Sequence, residues 1–222
     1  MSTILEGSAD KIARFNAIGL DYNIVAARVY DERRATSNPF GKPFLRDIIA
    51  GLVAFDLLRQ MGTRDRAYSF DDGGFGARLE SKIVRLRGVL EPMMGGDITS
   101  VDLSRHEQAI RASYDELAAD GTESLHSQGY HFHVGAAKIL HFLNPELFVI
   151  VDSNASRAFR AAWGIHYVNT TQPGYSSQRY VECMRCAQQD ISQYGVERFR
   201  GLEDGTPLCR IYDKLTFMKG ST

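Results

Sequence analysis

Along most of this chain apolar residues recur three and four positions apart, the spacing that lines one face of an α-helix. Ser8-Ala9-Asp10 precedes the first such stretch, where Ile12, Phe15 and Ile18 share a face and Gly19 marks the end. A second stretch around Ile24, Val25 and Val29 runs into Asp31-Glu32-Arg33-Arg34, and residues 35–42 are rich in turn formers and read as a loop. From Pro43 to Gln60 the apolar spacing predicts a substantial core helix, carried by Phe44, Ile48, Ile49, Leu52, Val53, Phe55, Leu57 and Leu58. Further helices are predicted over Ala77 to Leu90, from about Leu103 through Ile110, Tyr114 and Leu117, and over Tyr175 to Gln193. The segment Pro207 to Phe217 is apolar enough to dock on the core. The pattern is that of an all-α protein, with neither a repeat nor a low-complexity linker, and it reads as a single compact unit over residues 1–222.

One stretch, Tyr130 to Gly164, departs from ordinary amphipathic patterning. Ala136 to Leu143 forms a short helix that is apolar almost all round, with Lys138 as its only charge. Asn144-Pro145-Glu146 is a helix-start signature and predicts a single turn. The apolar run Leu147 to Val151 then delivers Asp152 immediately before the next helix, which Ser153 or Asn154 caps and which runs through Arg157, Phe159 and Arg160 to Gly164. A carboxylate at a helix N-terminus is favoured in its ionised form by backbone N–H groups and the helix dipole. Asp152 therefore reads either as a plain cap or as a charge kept alive in a partly dry pocket, and Lys138 either as a snorkelling side chain or as part of that pocket.

Composition narrows the class. With 44% hydrophobic and 24% charged residues in 222, the chain can bury a real core. The formal net charge of -1 carries no general nucleic-acid signature. Its distribution is uneven: residues 11–90 hold 14 Lys/Arg against 9 Asp/Glu, and residues 91–150 hold 3 against 9. Within the basic part, Arg78, Lys82 and Arg85 fall on one helical face behind the glycine-rich loop Gly73 to Gly76, a candidate phosphate-contacting stripe. Cys183, Cys186 and Cys209 are too few for a disulfide framework. They and the histidines at 126, 131, 133 and 141 lack the spacing of a metal site, so neither metal nor cofactor is expected. The N-terminus has charges where a signal peptide needs an apolar core, and no run is of membrane-spanning length, so the expectation is a cytoplasmic monomer away from the membrane.

Val134-Gly135, a helix carrying Lys138, and an apolar run ending in Asp152 at the next helix start together resemble the catalytic segment of the helix-hairpin-helix DNA glycosylases. The resemblance spans about residues 130–164. The hairpin's usual Leu-Pro-Gly-Val-Gly stands here as His131-Phe132-His133-Val134-Gly135, and Lys138 comes one position later than the family's lysine, where Ala137 now stands. The resemblance implies two helical lobes flanking a cleft that receives a base flipped out of double-stranded DNA. It implies Asp152 as the carboxylate that stabilises the developing sugar cation, and Lys138 as a candidate amine nucleophile. It also implies Val134 and Gly135 as DNA-binding, to which the α-helical stripe Arg78, Lys82 and Arg85 would add, and walls for the base drawn from Tyr130, Phe132, His133, Trp163 and Tyr167. The activity expected is excision of a damaged or modified base, and the altered hairpin suggests a modified base in phage DNA, hence a defence role. Two other readings stay open: a non-catalytic helical module that binds nucleic acid or protein, and an enzyme acting on free nucleosides through Asp152 and the histidines.

Overall fold

The computed structural model describes residues 2–18, 21–55, 70, 73–126, 131–167 and 174–221. Among them, secondary structure is helical throughout: α1 (Ser8–Ile18), α2 (Asp21–Ala35), α3 (Lys42–Ala54), α4 (Phe75–Leu90), α5 (Leu103–Ala118), α6 (His133–Leu143), α7 (Ser153–Trp163), α8 (Tyr175–Tyr194), α9 (Val196–Arg200) and α10 (Leu208–Gly220), with single 3-10 turns at Glu91–Met93 and Gly121–Glu123. The expected all-α character holds. The far end of the third predicted helix, residues 56–60, lies outside the described residues, as does Tyr130.

Local chemistry explains several boundaries. Asp102 starts α5 by accepting from the backbone N–H groups of Ser104 and Arg105 at 3.0 and 3.1 Å. Asn144 makes the expected single turn, its side chain accepting from Glu146 N at 3.2 Å and its carbonyl from Phe148 N at 3.0 Å. Two expectations change. Helix α6 begins at His133, three residues earlier than its apolar run suggests, because Phe132 O accepts from Ala136 N at 2.8 Å and extends the spiral backwards. The cap of α7 is Asp152 itself, not Ser153 or Asn154.

Helix α6 is the centre of the molecule. It packs against α5, α3 and α2, while α7 packs on α10 and α10 on α1, so the chain's first and last helices close together. Every residue of α6 except Val134 is buried, as an all-round apolar helix requires. Its fully buried Ile139, Leu140, Phe142 and Leu143 stabilise the fold by about 1.5–3 kcal/mol each. The approach to α3 is close enough that a Cβ on Gly51 would lie 2.6 Å from the Phe142 ring. Buried apolar side chains from Ile4 to Leu215 form one continuous cluster across both groups of helices. Among the described residues, no helix is long and apolar enough to cross a membrane.

Candidate active site

Because α6 is surrounded, its one charge has nowhere to go but inward. Lys138 is 5% exposed, and its ammonium lies 4.1 Å from the centroid of the Phe55 ring. The snorkelling alternative therefore fails: the head group sits on an aromatic face below the surface. Among the described residues no carboxylate or carbonyl lies within hydrogen-bonding distance of that nitrogen, although charged groups surround it. Asp152 faces it from the start of α7, and Asp213 and Arg210 face it from α10.

Each of these neighbours is already engaged. Asp152 Oδ1 accepts from Asn154 N and Ala155 N, both at 2.9 Å, while Oδ2 has no partner among the described residues. The carboxylate is half-buried, so the cluster reaches solvent on this side. Arg210, 2% exposed, forms an ion pair with Asp213 one helical turn on, and its second terminal nitrogen donates to Asn23 Oδ1 of α2 at 2.6 Å. Its guanidinium also lies over the rings of Phe15 and Phe55, at 5.2 and 5.8 Å. Four formal charges, two of each sign, thus meet where α6, α7 and α10 converge.

Burial sets their protonation. Loss of solvent lowers the affinity of the Lys138 amine for its proton; the negative charges of Asp152 and Asp213 only partly oppose this, and Arg210 adds to it. Burial pushes the Asp213 carboxyl up to about 6, against the pull of Arg210. His141, on the next turn of α6, is fully buried and held to about 3 by burial, with Arg210 and Lys138 adding to the depression. Its hydrogen bonds fix the neutral form, since Nδ1 donates to Phe148 O at 2.7 Å and Nε2 is left to accept from Tyr30 O–H at 2.9 Å. It is a core histidine, unsuited to acid–base work near neutrality.

The other expected site residues separate from this cluster. His133 leaves α6 about 140° around the helix axis from Lys138, five residues away. It stacks on His131 at 5.1 Å and faces the Tyr114 ring at 6.0 Å. Tyr167 is buried with its hydroxyl on that of Tyr114. Phe132 lies flat against Gly135, where an added Cβ would come within 2.0 Å of the ring, so Gly135 is required by packing. Val134, the half-buried exception on α6, stands in the same first turn. Trp163 ends α7, about 15 Å from Asp152 along the helix, and is partly buried against the core. Phe132, His133 and Tyr167 therefore build the packing between α5, α6 and α8, and Trp163 stands apart from Lys138 and Asp152.

The basic stripe on α4 divides between a helix contact and the surface. Of the three, Lys82 and the half-exposed Arg85 meet Glu116 of α5, while Arg78 turns to the loop before α4. Lys82 is 1% exposed and donates to Glu116 O at 2.7 Å and Oε1 at 3.3 Å. Arg85 grips the same Oε1 at 2.6 Å, and Arg78 donates to Gly73 O. Lys82 is a tie between helices, removed from any phosphate. Sequence reading missed Arg210, Asp213 and Asn23; the available signal was an Arg and an Asp one turn apart inside an otherwise apolar closing segment.

No protein-family model, curated protein or solved structure matches this chain.

Proposed function

We propose that this protein is a DNA glycosylase that excises a modified base, with Lys138 and Asp152 as its reacting pair. The observation that carries the reading is a buried lysine amine that has no carboxylate partner among the described residues, facing a carboxylate whose second oxygen has none among them either. Burying a cation without an ion pair is costly, and the usual relief is loss of the proton, which makes the amine a nucleophile. Unpaired but aimed charges of this kind cluster at functional sites.

In this reaction the Lys138 lone pair bonds to C1′ of a flipped-out nucleotide as the N-glycosidic bond breaks. The base leaves with the bonding electrons and takes up a proton. The sugar ring then opens to an imine, and water hydrolyses it, restoring the amine and leaving an abasic site, so the net change is hydrolysis. Asp152 stabilises the positive charge that develops on the sugar, from a position that the α7 N-terminus holds rigidly.

A strand-scission assay tests this. Duplexes carrying a panel of damaged and hypermodified bases, including DNA from phages with modified cytosines, are incubated with wild type and with Asp152→Asn and then treated with alkali. Alkali-dependent breaks from the wild type alone support the reading. Binding without breaks on every substrate favours a non-catalytic module.

A further inference from the structure

Arg210 sits deeper than any other arginine described, and nothing in base excision as proposed above uses it directly. Its setting is nonetheless specific. It is held at three points, by Asp213, by Asn23 of α2 and by the rings of Phe15 and Phe55, and one of those rings is the face against which the Lys138 ammonium lies. Two cations thus share Phe55, yet only one of them has a carboxylate. Asp213 faces both, and Arg210 takes it in an ion pair within its own helix, one turn apart.

We propose that Arg210 is a positioning residue: it occupies Asp213 and so keeps the Lys138 amine free of a carboxylate partner. The inference rests on the glycosylase reading for its purpose, but its geometry stands independently. Among the described residues, the charged groups facing Lys138 are Asp152 from the start of α7 and Asp213 and Arg210 from α10. From α2 comes the neutral amide of Asn23 on the far side of Arg210, from the end of α3 the Phe55 ring, and on α6 itself the neutral His141. Among the described residues Asp152 is held through Oδ1 by the backbone of α7, and Asp213 is the carboxylate facing Lys138 that a change at Arg210 would release. A guanidinium suits the task because it keeps its charge at every accessible pH and binds a carboxylate through a rigid fork.

The two members of the α10 pair then act on Lys138 in opposite directions. Without Arg210, the amine loses a like-charged neighbour and gains access to Asp213, and it holds its proton more tightly. Without the Asp213 charge, the amine loses an attraction and holds its proton less tightly.

The test is an NMR titration of the Lys138 Cε and Nζ resonances in the full chain, assigned by their loss in Lys138→Met. Arg210→Met is expected to raise the titration midpoint by about one pH unit or more, and Asp213→Asn to lower it. A midpoint that stays put or falls in Arg210→Met overturns the proposal. Should that variant not fold, Asp213→Asn decides alone: an unchanged or higher midpoint overturns it. The titration uses no DNA, so failure to cleave any duplex leaves its result intact, and a negative titration leaves the strand-scission result intact.

Discussion

Of the three lysines buried among the described residues, Lys82 and Lys138 are buried in opposite ways. Lys82, 1% exposed, enters the contact between α4 and α5 and finds a full set of partners: the Glu116 carbonyl at 2.7 Å and its carboxylate at 3.3 Å. That carbonyl belongs to the last turn of α5, where helix geometry leaves it without a partner and the dipole favours a cation. Although burial alone would raise it, hydrogen bonds from Arg85 and Lys82 hold the Glu116 carboxyl below its usual range. Lys138, 5% exposed, enters a contact of similar depth and finds an aromatic ring, with Asp213 paired to Arg210 and Asp152 held through one oxygen at the start of α7. The first arrangement stabilises a fold. On the reading proposed above, the second costs stability and retains reactivity, a trade that proteins make at sites of chemistry.

The largest effect that can separate the two is catalytic. Asp152→Asn is expected to lower base excision by at least about 100-fold while leaving the fold intact, since asparagine caps a helix about as well as aspartate. Loss of activity accompanied by unfolding, read by circular dichroism, would return Asp152 to a purely capping role.

Stability gives the next contrast. Lys82→Met is expected to destabilise by about 2–4 kcal/mol, because it strands the Glu116 carbonyl and breaks a buried pair. Lys138→Met is expected to change stability by less than about 1 kcal/mol, or to raise it, because it replaces an unpaired amine with an apolar side chain of similar length. Urea denaturation measures both, and equal losses would erase the distinction.

A smaller effect concerns pH. His141 titrates near 3 when folded and at its ordinary value near 6.5 when unfolded, so the unfolded chain binds the extra proton and stability falls as pH drops through that window. Relative to His141→Gln, the wild type is expected to lose about 2 kcal/mol between pH 7 and 5. Asp213, raised to about 6, works the other way, its contribution being present below its unfolded value and lost as pH rises through 6. The comparison with His141→Gln removes it. The smallest expected effect is that Arg85→Ala leaves DNA affinity within about twofold, because its guanidinium already serves Glu116. A large drop in a salt titration would restore the α4 face as a binding surface.

What the sequence discloses follows the range of the forces involved. Asp152 before α7 is visible because capping is a matter of three residues, and the burial of α6 is visible because an apolar helix with one charge has no face to offer water. The family resemblance pairs Lys138 with Asp152 across fourteen positions. The Arg210–Asp213 pair is hidden, for nothing in the closing segment says that α10 folds back against α7, some fifty-five residues earlier. The α4 stripe misleads for the same reason. Helical spacing puts Arg78, Lys82 and Arg85 on one face, but only the position of α5 tells that Lys82 turns inward.

The measurement that bears most directly on Lys138 does not need the base to be known. Wild-type protein is incubated with a duplex carrying a single abasic site in the presence of borohydride, which reduces any imine between a lysine amine and C1′ to a stable bond. The account predicts a covalent complex whose cross-link maps by mass spectrometry to Lys138, lost in Lys138→Met and kept in Lys82→Met. DNA that binds without cross-linking, or a cross-link at another lysine, would contradict it.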